Sequence, residues 1–114
     1  LKNRDVLKKA YEEVDEVLGP TVDEPPTMAQ INRLKYIRAI LMEALRLWPT
    51  APSYGRAPHE DEVIGGKYHL PKKTSIYVIA PSLHRDRAYW GDEPERFNPD
   101  YFLPEVEAAR NPAA

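Results

Sequence analysis

Apolar residues recur every three or four positions at the start of the chain: Val6, Ala10, Val14 and Val17, with Leu7, Tyr11 and Leu18 beside them. Lys, Glu and Asp fill the positions between, so the spacing predicts an amphipathic helix over 5–18. Asn3 or Asp5 is placed to cap its start, and Gly19-Pro20 stops it. A loop over 19–26 carries Pro20, Pro25 and Pro26. Thr27 and Gln30 have the spacing of a capping box and open a short helix to about Arg33. A second long helix is predicted over 35–47, where Tyr36, Ile37, Ile40, Leu41, Ala44 and Leu45 lead to Trp48 in a wide apolar stripe. Pro49 ends it, because the residue before proline avoids the helical region.

Beyond Thr50 the period shortens. Ser53–Ala57 reads as a strand. Val63-Ile64 and Lys67–Leu70 read as a hairpin turning at Gly65-Gly66. Thr74–Ala80 is rich in β-branched and aromatic residues and is the best strand. Residues 81–86 allow one helical turn. From 87 to 114 proline interrupts every period, and packed but irregular backbone is expected. The fold class is therefore mainly α with a small antiparallel β region.

Composition narrows the function classes. The chain has 114 residues, 42 % hydrophobic and 30 % charged, and its 12 prolines concentrate after residue 48. A net charge of −2, with pI near 5.9, gives no electrostatic footprint for nucleic acid. No apolar run approaches the roughly 18 residues of a membrane span, and no signal segment opens the chain. A cytoplasmic location is expected. There is no cysteine, which removes disulfides, cysteine-based zinc sites and thiolate chemistry from these residues. No G-x-S-x-G elbow, phosphate loop or dinucleotide fingerprint occurs. Leu1 and the closing Asn-Pro-Ala-Ala both look like cuts through a longer protein.

Three motifs remain. Glu43 and Arg46 are three apart on the second long helix, so they are neighbours. The plain reading is a surface ion pair worth roughly 0–1 kcal/mol. The apolar neighbours Met42, Leu45 and Leu47 argue for partial burial, and buried charges must be paired. His84-Arg85-Asp86, followed by Tyr89-Trp90-Gly91, reads as a polar turn with packing aromatics, and His84 as a structural histidine. His59 and His69 fall in turn or hairpin regions and carry no functional reading. Pro94-Glu95-Arg96-Phe97, echoed by Pro99-Asp100-Tyr101-Phe102, reads by itself as a proline-rich surface loop; the other reading is a coil pinned by aromatics, with one charged side chain reaching back to the long helix.

The order of these motifs resembles the C-terminal half of cytochrome P450 proteins, the haem-thiolate monooxygenases. The run from Glu43 to Pro52 (Glu-Ala-Leu-Arg-Leu-Trp-Pro-Thr-Ala-Pro), with Leu83–Asp86 and Tyr89–Asp92, is most similar to bacterial fatty-acid hydroxylases fused to a flavin reductase. The resemblance implies one partial domain over 1–114: a helical part over 1–49 (helices J, J′ and K), a small β part over 50–86, and a meander over 87–114. It implies that Glu43 and Arg46 form a structural network with a third polar residue from the meander. That residue is either Tyr101 through its hydroxyl, which is preferred, or Arg96 through its guanidinium. It implies that Arg56 faces a haem propionate and that Thr50, Ala51, Pro52, Ser53 and Tyr54 line the substrate pocket. It also implies haem as cofactor. Electrons would come from NADPH through an FAD/FMN reductase, fused or separate, or from a ferredoxin. The substrate would be apolar, of fatty-acid type.

The same resemblance places the haem-ligating cysteine after Ala114, in a Phe-x-x-Gly-x-x-x-Cys-like segment, and the distal helix before Leu1. The isolated chain is expected to be inactive and prone to association through its apolar helix faces. Two other readings stand beside this one. One is a non-enzymatic helical interaction module that kept the motifs. The other is an unrelated α+β domain whose Glu43–Arg46 pair is exposed.

Overall fold

A computed structural model describes residues 3–19 and 24–109. Helix α1 (Arg4–Leu18) follows its predicted apolar stripe, with Ala10 buried. Asn3 occupies the N-cap position without a side-chain cap bond. Gly19 ends the helix, while Pro20 lies outside the described residues. Helix α2 (Met28–Ile31) opens with the reciprocal capping box of Thr27 and Gln30 and stops two residues short of Arg33. Helix α3 (Lys35–Leu47) buries Tyr36, Ala39, Glu43, Arg46 and Leu47.

Strands β1 (Ser53–Arg56) and β4 (Ile76–Ile79) pair antiparallel, Ser53 opposite Ile79 and Arg56 opposite Ile76. Strands β2 (Glu62–Ile64) and β3 (Tyr68–Leu70) form the hairpin, Ile64 opposite Tyr68. Its turn needs positive φ at both central positions, and Gly65 and Gly66 supply 60° and 67°. The Lys67 N–H donates to the Ile64 carbonyl at 3.2 Å and closes it.

After β4 comes the expected helical turn, α4 (Ala80–Leu83). From Arg87 the chain departs from expectation: the proline-rich stretch is not merely irregular but holds α5 (Arg87–Trp90), a 3₁₀-helix (Pro99–Phe102) and α6 (Pro104–Ala109). Prolines open α4, the 3₁₀-helix and α6 rather than forbid them. Pro99 sits at the beginning of the 3₁₀-helix and Pro81 in the first turn of α4, where the missing N–H costs nothing. Asp86 and Asn98 cap α5 and the 3₁₀-helix with their side chains.

The core lies where α3 meets the 3₁₀-helix. Ala39, Trp90 and Phe102 are buried there, with Met42, Tyr89, Tyr101 and Leu103 packed against them. The radius of gyration is 19.4 Å, against roughly 13 Å for a compact chain of about 100 residues. No helix among the described residues is long and apolar enough to cross a membrane.

Candidate functional site: a buried Glu–Arg couple under the meander

Helix α3 is held at both ends by side chains from other elements. Leu34, its N-cap residue, offers no side-chain cap. Glu13 of α1 does the work instead, accepting from the Tyr36 N–H at 2.7 Å and the Ile37 N–H at 2.9 Å. A carboxylate there also suits the positive end of the helix dipole. At the other end His84 Nδ1 meets the Arg46 carbonyl at 2.9 Å, and an Arg85 N–H donates to the Leu47 carbonyl at 2.8 Å. The His84-Arg85 motif thus satisfies carbonyls that a helix C-terminus leaves orphaned.

Between these ends lie Glu43 and Arg46, 0 % and 2 % exposed. Arg46 Nε and Nη2 donate to the two Glu43 carboxylate oxygens at 2.7 and 2.9 Å, a bidentate pair. Arg46 Nη1 donates to the carbonyls of His84 and Pro94 at 2.6 and 2.7 Å, and Nη2 also to that of Arg96 at 3.3 Å. Every N–H of the guanidinium is therefore engaged. Glu43 accepts once more, from the Asn98 N–H at 2.7 Å. Among the described residues, no buried side-chain nitrogen or oxygen lacks a partner. This burial overturns the reading of an exposed pair on an unrelated domain.

The expected third residue needs correcting. The Tyr101 hydroxyl donates to the Trp90 carbonyl at 3.1 Å, and its ring lies 5.8 Å from the Arg46 guanidinium carbon. Tyr101 meets the couple with its ring face, not by giving its hydroxyl to it. Arg96 turns its guanidinium outward to Glu93 at 3.2 Å, in a pair about 70 % exposed on each side, and contributes only its carbonyl. The polar group that reaches Glu43 from the meander is the Asn98 backbone N–H. A backbone donor carries no side-chain signature, so residue types do not reveal it. Glu13 was equally invisible, as one acid on a charged helix face.

The remaining candidates lie apart from this network. Thr50, Ala51, Pro52, Ser53 and Tyr54 are all exposed and form an open strip running into β1. Arg56, at the end of β1, is exposed as well. No cluster of three or more His, Cys, Asp or Glu that would hold a metal occurs among the described residues. Without a cysteine, the donor set of these residues does not fit thiolate ligation of a haem iron.

Helices α1 and α3, with a downstream coil tied to a buried Glu-x-x-Arg, have the arrangement expected of a haem-domain framework, and the comparisons agree. The cytochrome P450 family model matches residues 1–114, and the chain belongs to that family. It is 55 % identical over 103 residues to the bifunctional cytochrome P450/NADPH–P450 reductase of Bacillus cereus, covering 90 % of this chain and 9 % of that protein. It is 54 % identical over 102 residues to bifunctional cytochrome P450/NADPH–P450 reductase 1 of Bacillus subtilis, with the same coverage of 90 % and 9 %. The crystal structure of the cytochrome P450DA heme domain superposes with a TM-score of 0.85 at 40 % identity, over 98 % of this chain and 24 % of that one. The chain thus spans under a tenth of the length of these fused relatives.

Proposed function

We propose that these residues are part of a haem-thiolate monooxygenase domain, which inserts one oxygen atom of O2 into an apolar substrate of fatty-acid type. The observation that carries this reading is the buried Glu43–Arg46 couple, bonded to backbone from residues 94–98, in a chain more than half identical to relatives named for a P450 joined to its reductase. Those names support electron delivery from NADPH through a P450 reductase over a ferredoxin, and FAD/FMN in that reductase, fused or separate, goes with this reading. A cytoplasmic location goes with this reading, and no helix among the described residues is long and apolar enough to cross a membrane. Nothing in the geometry favours a non-enzymatic module.

Bound haem, with a cysteine thiolate, supplies the dioxygen chemistry. The residues here supply a frame. Glu43 and Arg46 hold α3 and the meander in fixed relation, with the Asn98 N–H and the Tyr101 ring completing the tie. Arg56 offers an exposed guanidinium suited to bidentate pairing with a propionate. Thr50, Ala51, Pro52, Ser53 and Tyr54 become a pocket wall only when covered by other parts of the domain.

The reduced, carbon monoxide-bound absorption spectrum tests this. The complete protein should show a thiolate-type Soret band, and the isolated segment none. Absence of the band from the complete protein would overturn the monooxygenase reading. Its presence in the isolated segment would overturn the role of these residues as frame alone.

A further inference from the structure

Arg46 is bonded by one anionic side chain, Glu43, and otherwise by neutral carbonyls. At 2 % exposure its cation receives almost no help from water. All of these bonds use N–H groups that lie in the guanidinium plane, which leaves the space above that plane to other groups. Trp90, itself 6 % exposed, places its ring centroid 4.6 Å from the guanidinium carbon, and Tyr101 does so at 5.8 Å. The two rings meet edge to face, 5.8 Å apart at 73°, and the Tyr101 hydroxyl ties them by its bond to the Trp90 carbonyl. Phe102 backs Trp90 at 5.8 Å.

We propose that Trp90 and Tyr101 are positioning residues, an aromatic clamp of two perpendicular rings on one side of Arg46 that holds its guanidinium in its forked geometry by cation–π attraction. Such attraction grows when cation and ring are both removed from water. The clamp explains how a meander whose described residues bring no cationic side chain to the couple still fixes it. Its neutral rings stabilise the buried positive charge without adding another. The inference rests on the buried couple and not on the haem reading, so either can fail alone.

The test uses the complete protein containing this segment. Trp90 is replaced site-specifically by tryptophans of increasing ring fluorination, which drain the negative ring face while nearly keeping its shape. The logarithm of the unfolding rate should rise in proportion to fluorination, to about tenfold at the top of the series. Exchange of the Arg46 Nε–H, bonded to Glu43 at 2.7 Å, should quicken in step. Packing alone would not produce that coupling. The same series at Trp48, 65 % exposed and stacked on Phe97, should give no slope. Y101F keeps the ring and should unfold within about twofold of the parent, whereas Y101L, which loses the ring, should unfold about fivefold faster. A flat series at Trp90, or an equal slope at Trp48, overturns the clamp. Equal rates for Y101F and Y101L overturn the part assigned to Tyr101. If Y101L does not fold, the Trp90 series still decides.

Discussion

Around α3, charged side chains lie at 0 % and 2 % exposure with all their polar atoms bonded, while every residue of β1 and β2 is exposed. These two regions are joined by a few residues, yet they hold together by different means. The α3 region closes on itself, because helix, turn and meander each hand carbonyls or N–H groups to one buried couple. The strands satisfy each other along one edge only and turn Tyr54, Val63, Tyr68 and Tyr77 to the outside. The large radius of gyration belongs with this division: one part has an interior and the other is mostly rim. Order in the first part is enforced by the cost of leaving a buried charge alone. In the second it is enforced by turn chemistry.

The sharpest way to break that contrast is E43Q. It leaves the Arg46 cation buried without its counter-charge, which costs about 3–5 kcal/mol. Against a typical domain stability of about 5–15 kcal/mol this is severe. Urea denaturation of the complete protein should show a midpoint far below the parent's. A loss under about 1 kcal/mol would mean that the couple is solvated after all.

E13A probes the same region from outside. Removing the carboxylate strips the cap from Tyr36 and Ile37, at about 1 kcal/mol and no more than about 2. Hydrogen exchange should quicken at those two amides first. Unchanged protection there would show that α3 starts without help from α1. On the hairpin, Y68T replaces a ring that is 60 % exposed and should change stability by no more than about 0.5 kcal/mol. A larger loss would show that other parts of the protein cover this face, and the contrast would narrow.

Much of this was legible in the chain, and the reasons are local. The two long helices followed from apolar spacing, the capping box from Thr27 and Gln30, and the hairpin from a glycine pair that alone suits two positive φ values. Glu43 and Arg46 were legible because their spacing places them side by side. What they bind was not. The carbonyls of His84, Pro94 and Arg96 and the Asn98 N–H are backbone groups, which every residue has. Their selection is a tertiary event. Tyr101 was misread for a related reason: a side chain with both a ring and a hydroxyl offers two ways to meet a cation, and the sequence does not say which. Of the short helices after residue 86, the last two are hidden because proline, a breaker inside a helix, is also a good first residue, and the first because it is a single turn marked only by the Asp86 cap.

The mildest test concerns Tyr36, which joins α1 to the core beside Lys9 and Asp100. Lys9 Nζ lies 3.3 Å from the Asp100 carboxylate and 5.4 Å from the Tyr36 ring centroid. Burial raises the Tyr36 phenol above its ordinary value, and the nearby Asp100 carboxylate raises it further. A raised phenol binds its proton more tightly in the folded state. Its contribution to stability is therefore fully present below about pH 10, the unfolded value, and is lost as pH climbs through the folded value. Nothing should change at neutral pH. Phenolate absorbance, with Y36F as the subtraction, should place the midpoint above that of free tyrosine. D100N should bring it part of the way down, because the carboxylate goes and the burial stays. An unmoved midpoint in D100N would leave burial as the whole cause and would detach Asp100 from the α1–α3 contact.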